Sequence, residues 1–114
     1  MSNCIFCQIV AGQIPAKLLH QDEFVIAFAD IAPQAPTHIL VIPRQHLESL
    51  NALGPEDNAL IGRMFTVATG LARQQGIAER GYRTVINTHR DGGQSVDHLH
   101  LHLLGGRTMT WPPG

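Results

Sequence analysis

An excess of charge of either sign is missing from this chain. Eight Lys and Arg nearly balance nine Asp and Glu, for a net charge of -1 with the histidines neutral. A sequence-independent nucleic-acid binder carries a basic face, so nucleic acid is not expected as a partner. A small phosphorylated ligand remains open, because backbone N–H groups and histidines hold phosphate without a large net charge. Cysteine is scarce too: the chain has two, Cys4 and Cys7, in a single Cys-x-x-Cys. They cannot build a disulfide framework, which points to a reducing compartment and a metal or redox role. No apolar run approaches the roughly 20 residues of a membrane helix. The first residues show no basic stretch leading into an apolar one, so a cytoplasmic protein without a membrane partner is expected. Internal repeats and low-complexity stretches are also missing.

What is present describes one folded domain. Residues 1–114, with 44% hydrophobic and 15% charged residues, suit a single compact unit. Ile5, Phe6, Ile9 and Val10 recur at helical spacing after Cys4, with Gly12 and Pro15 ending a short helix. Strands are expected at Leu18–Gln21, Phe24–Ala29, His38–Ile42 and Tyr82–Asn87, and a last long one from Val96 to Leu104. Between the third and fourth strands, Pro55, Glu56 and Asp57 suit a helix start. Leu60, Ile61, Met64, Phe65, Val67, Ala68 and Leu71 supply the apolar stripe, and Gly76 the stop. Asp91–Ser95 reads as a glycine-rich loop. Strands and helices are grouped rather than alternating. The expected fold is therefore α+β, a five-stranded mostly antiparallel sheet with a short N-terminal helix and one long helix.

The chemistry concentrates in His98-Leu99-His100-Leu101-His102. On a strand, alternate side chains share a face, so three imidazoles point one way and the leucines into a core. Alternate positions stand about 6.5 to 7 Å apart, too far for all three to ligate one metal at about 2 Å. A neutral imidazole is a nucleophile near neutral pH once a partner fixes its tautomer. Donors must then surround the phosphate oxygens. Gly92, Gly93, Gln94 and Ser95 directly precede the strand, and glycines let backbone amides approach phosphate closely.

His98-Leu99-His100-Leu101-His102-Leu103-Leu104 resembles the signature of the histidine triad superfamily. The likeness spans nearly the whole chain. Cys4-Ile5-Phe6-Cys7, Ile14–Lys17, Phe28–His38, Gly92–Ser95 and the Trp111–Gly114 tail all look like its Hint branch, the purine nucleoside phosphoramidate hydrolases. The resemblance implies a homodimer whose two sheets join. It implies that His100 attacks the phosphorus of a purine nucleoside phosphoramidate through a nucleotidyl-histidine intermediate. His102 and His38 would line the phosphate pocket. Asn87, Ser95, Gly93 and the Val96 amide would contact the phosphate or leaving amine, and Asp30 the ribose hydroxyls. Ile5, Phe6, Ile9, Phe28, Ile31 and Leu40 would form the base slot. From pattern alone, Phe6, Phe28 and Leu40 read as plain core, and Asp30 as a turn cap. Asp97 departs from the branch, which has an aromatic there; it is expected to point away from the histidines. Thr110 departs as well, replacing a basic or histidine residue before Trp111.

Cys4 and Cys7 share a helix face. The resemblance implies a structural zinc on Cys4, Cys7, His46 and His98, with no catalytic cofactor. Two buried free thiols, or a redox pair, are the alternatives. Rival functions are a dinucleoside polyphosphate hydrolase or nucleotidyl transferase using the same histidine, and a non-enzymatic purine-nucleotide or partner-protein binding module. His20 and His89 read as surface residues.

Overall fold

The computed structural model describes residues 3–114. Its elements run α1 (Ile5–Val10), β1 (Leu18–Gln21), β2 (Val25–Ala29), β3 (Thr37–Pro43), α2 (Asn58–Gln74), β4 (Tyr82–Val85), α3 (His89–Gly92) and β5 (Leu101–Gly105). The strands form one sheet in the order β1-β2-β3-β5-β4, antiparallel at every pairing. The expected α+β architecture is thus the observed one, with one long helix and a short N-terminal one.

Strand alternation divides the interior into two cores. Val25 and Ala27 of β2, Ile39 and Val41 of β3, and Leu101 and Leu103 of β5 face Met64, Ala68, Leu71 and Ala72 of α2. The intervening residues Ile26, Phe28, Leu40 and Ile42 face the other way and pack with Phe6 of α1. The long helix therefore covers one sheet face and the short helix the other. A 3-10 turn at Pro55–Asp57 leads into α2, with the Asp57 carboxylate accepting the Gly54 N–H at 3.0 Å. Gly76, at φ +74, ends it while the Ile77 N–H reaches back to the Ala72 carbonyl at 3.0 Å. Phe65 departs from the expected stripe and is 38% exposed. The buried line runs through residues 64, 68, 71 and 72, and Phe65 lies about 100° around the helix from Met64.

The β1–β2 turn is organised by Asp22. One carboxylate oxygen accepts the Phe24 and Val25 amides at 2.7 and 3.0 Å. The other faces His20 at 2.7 Å and Arg63 of α2 at 3.3 Å. Burial opposes ionisation, but these four donors outweigh it and hold the carboxyl well below its usual range. His20 is accordingly half-buried with a carboxylate partner rather than a plain surface residue. His89 is exposed, as expected.

Three boundaries differ from expectation near the histidines. The last strand starts at Leu101, not Val96, because residues 96–98 bend and the Leu99 N–H bonds the Leu47 carbonyl at 2.7 Å instead of a strand neighbour. β4 ends at Val85, opposite His102. The glycine-rich loop holds one helical turn, α3, closed by Gly93 at φ +80; four residues are too few to carry an apolar period.

Candidate active site

The bend at 96–98 sends the three histidines into three different surroundings on the α1 side of the sheet. His98 is fully buried, and its Nε2 is 2.8 Å from the Pro43 carbonyl. A carbonyl only accepts, so Nε2 carries the proton and Nδ1 keeps its lone pair. That Nδ1 lies 3.4 Å from Cys4 Sγ and 3.5 Å from Cys7 Sγ, and His46 Nδ1 lies 3.2 Å from Cys7 Sγ. All four donors fall within 4.8 Å of one another and make a group able to hold a metal ion. A tetrahedral ion with two thiolates at about 2.3 Å and two imidazoles at about 2.0–2.1 Å sets S···N edges of about 3.5 Å. The observed distances fit that frame, and the Pro43 carbonyl supplies the outer hydrogen bond that orients a ligating imidazole. Cys4 also caps α1, accepting the Cys7 N–H at 3.4 Å.

His100 is set by the same logic. Its Nδ1 lies 2.7 Å from the His98 carbonyl and must be the protonated nitrogen. Nε2 then holds the lone pair. The residue is only 3% exposed. Among the described residues no buried side-chain nitrogen lacks a partner. Nε2, which makes no hydrogen bond, therefore reaches the surface. The Phe6 ring meets His100 edge-on at 5.1 Å and His98 at 5.9 Å, between the two cysteines in sequence.

His102 sits on β5 opposite Leu40, one diagonal step from His38 on β3. The Gln34 N–H donates to His38 Nδ1 at 3.0 Å. His38 therefore carries its proton on Nε2, and donates it to His102 Nδ1 at 2.9 Å. His102 is left with Nε2–H as a donor. Asp30 stands beside this pair, 3.4 Å from His38 Nε2, and accepts the Ala32 N–H at 2.8 Å in the turn-capping role. Asp30, His38 and His102 also cluster as a possible metal group. The Gln34 amide argues against it, since His38 would have to protonate Nδ1 against an N–H donor to free Nε2 for a metal. We read this trio as a hydrogen-bond relay.

Burial is the main cause that lowers both titrations: His38 falls below its ordinary value against the pull of Asp30, and His102 falls to about 4, helped by His100 and His38. Both imidazoles are neutral at pH 7. The unfolded chain protonates them near 6.5. It therefore binds more protons than the folded chain below that pH, so their contribution is full above about 6.5 and drains away as pH falls towards 4. Thermal unfolding should show Tm dropping on the order of 5 °C between pH 7 and pH 5. The slope should shrink in His102→Gln; a Tm flat over this range would contradict these tautomers.

The remaining expected site residues are placed as follows. Phe6, Phe28 and Leu40 are buried in the second core, with Ile9 and Val96 packed against it. Ile5 and Ile31 are exposed, Ile31 at 98%. Ser95 is exposed and Asn87 half-buried. Ile5, Ser95 and Val96 border a cavity of about 410 Å³ together with Cys4, His46 and Asp97. Asp97 is exposed and sits at the bend of the chain. Gln34 and the Pro43 carbonyl were not anticipated. Both act through the main chain, which has no sequence signature, although Pro33 and Pro36 mark the Gln34 loop as rigid.

A HIT domain model matches residues 11–109. This chain belongs to the HIT family. Purine nucleoside phosphoramidase of Escherichia coli is 51% identical over 105 residues, covering 92% of this chain and 88% of that one. An uncharacterized HIT-like protein of Synechococcus elongatus is 51% identical over 112 residues, 98% of this chain and 97% of that one. The crystal structure of a HIT family hydrolase from Legionella pneumophila superposes with a TM-score of 0.97 at 50% identity, covering 98% of this chain and 100% of that one. A histidine triad protein of Clostridium difficile gives 0.93 at 37% identity, covering 96% of each chain.

Proposed function

We propose that this HIT protein hydrolyses purine nucleoside 5′-phosphoramidates to a nucleoside monophosphate and an amine, with His100 as the nucleophile. The observation that carries the proposal is the hydrogen bond from His100 Nδ1–H to the His98 carbonyl, which leaves an accessible lone pair on Nε2. Nε2 attacks phosphorus and the P–N bond breaks. The leaving nitrogen takes up one proton, handed over by Ser95 and replaced from solvent. Water then attacks the nucleotidyl-histidine, its proton passes to solvent, and the imidazole and monophosphate are released. His102 Nε2–H donates to a phosphate oxygen, held in that tautomer by His38. The Gly93 and Val96 amides and Asn87 complete the phosphate cradle. Asp30 accepts the ribose hydroxyls, and the purine lies against Ile5 and Ile31 over Phe6, Ile9, Phe28 and Leu40.

We assign the Cys4, Cys7, His46 and His98 group a structural zinc. Four protein ligands leave no open position, so the ion joins α1 to the histidine segment and takes no part in the reaction. Two thiolate ligands suit a reducing, cytoplasmic setting. We further assign a homodimer. β1 carries a register shift between Leu18 and His20, which discourages edge pairing, whereas the β4 edge has regular pairing with β5 and is suited to extend the sheet.

The reaction is tested by measuring AMP release from adenosine 5′-phosphoramidate and from a diadenosine polyphosphate under the same conditions. The amide should be the better substrate by at least roughly tenfold in kcat/KM. A preference for the polyphosphate would assign the other leaving group, and tight AMP binding without turnover of either would make the protein a binding module.

A further inference from the structure

The loop ahead of the histidines is held by a side chain that the proposed reaction does not use. The Gln94 amide makes three bonds, all to main chain. Its Oε1 accepts the His89 N–H at 2.9 Å, and its Nε2 donates to the Glu48 carbonyl at 2.7 Å and the Val96 carbonyl at 3.0 Å. Because an N–H only donates and a carbonyl only accepts, this orientation of the amide is the one that satisfies all three. Both amide protons are engaged, which leaves none for a phosphate. The Gln94 backbone N–H returns to the His89 carbonyl at 3.0 Å, closing a ring across α3. His89 is held there at φ +56, the left-handed region that side chains other than glycine rarely adopt.

The other end of this arrangement is the Leu47–Glu48 segment. Glu48 receives Gln94, and Leu47 receives the Leu99 N–H at 2.7 Å. Two adjacent carbonyls thus hold the loop carrying Ser95 and Val96 and the segment carrying His100. Leu47 is buried, and His46 of the metal group directly precedes it. The strut fixes the separation between the loop amides and the His100 imidazole, the geometry that in-line attack at phosphorus requires.

We propose that Gln94 is a positioning residue for this reaction: its amide locks the Ser95–Val96 loop to the Glu48 carbonyl and so sets that loop against His100. The proposal rests on the phosphoramidase reading. Gln94→Ala removes all three bonds, and kcat falls about 10- to 100-fold with a smaller change in KM. Gln94→Glu keeps the acceptor for His89 but turns a carboxylate oxygen towards two carbonyls. Protonation returns one donor, so the ratio of its kcat to wild type rises as pH falls from 7 to 5. A merely structural role lowers Tm without producing that pH-dependent ratio.

The test combines steady-state kinetics of both variants, well below their Tm, with amide hydrogen exchange of residues 93–96. Faster exchange in Gln94→Ala, the kcat loss and the pH-dependent ratio together support the assignment. A kcat within about twofold of wild type, or a flat ratio, overturns it. Should wild type show no turnover, the phosphoramidase reading falls by itself, and unchanged exchange in Gln94→Ala then overturns the loop-locking role.

Discussion

Replacing His100 by alanine is expected to lower turnover of adenosine 5′-phosphoramidate by about four orders of magnitude or more. His100 is the one member of the histidine segment whose outer nitrogen is both unprotonated and free of a partner. His98 spends its lone pair towards the two cysteines, and His102 presents a proton rather than a lone pair. His98 could take over the attack only by leaving the cysteines, and His102 only by a change of tautomer. His102→Gln should cost less, roughly 10²- to 10³-fold, because it removes a donor to developing charge and leaves the nucleophile in place. The alanine variant loses the edge-on contact with Phe6, so its folding is to be checked by circular dichroism and its AMP affinity by calorimetry. Near-normal folding with turnover close to wild type would rule out His100 as the nucleophile.

Loss of the metal group should have the largest effect on stability. Cys4 and Cys7 on α1 meet His46 and His98 from segments far along the chain, so an ion there cross-links the N-terminal helix to the histidine segment. A ligand present at about 1,000 times its Kd stabilises by roughly 4 kcal/mol. For a domain of this length that is on the order of 15 °C in Tm. Extraction with a strong chelator, or Cys7→Ser, should lower Tm by that order, and elemental analysis of the untreated protein should give one zinc per chain. The two sheet cores persist without the ion, so the stripped protein should stay folded at room temperature. An unchanged Tm together with absent zinc would make the pair half-buried thiols without a metal.

The legible and illegible parts of this site separate along a physical line. Alternation of His98, His100 and His102 with Leu99, Leu101 and Leu103 correctly put the leucines into a core, which the structure shows to be the one shared with α2, because period two is a property of any extended chain. The same alternation overstated the strand, since a bend preserves polarity while breaking the ladder. The α2 stripe was readable from its spacing, except for Phe65, whose hydrophobicity alone says nothing about its angle on the helix. What the residues could not reveal is the setting of each imidazole. That is done by the Pro43 and His98 carbonyls and the Gln34 amide, groups that every residue type supplies. His46 is similar: 39 positions separate it from Cys7, and only the family pattern connected them. Gln94 stood between glycines and a serine, where a phosphate-loop reading drew attention to its neighbours and hid its own role.

The central claim is that His100 Nε2 forms a bond to phosphorus, and a single measurement bears on it directly. The protein is mixed with adenosine 5′-phosphoramidate, quenched within the first turnover without strong acid, digested, and the peptides mapped by mass spectrometry. The account predicts an adenylyl adduct on the peptide containing residues 98–102, with fragmentation placing it on His100. Complete conversion to AMP with no adduct at any quench time, or an adduct on His98 or His102 instead, would contradict it.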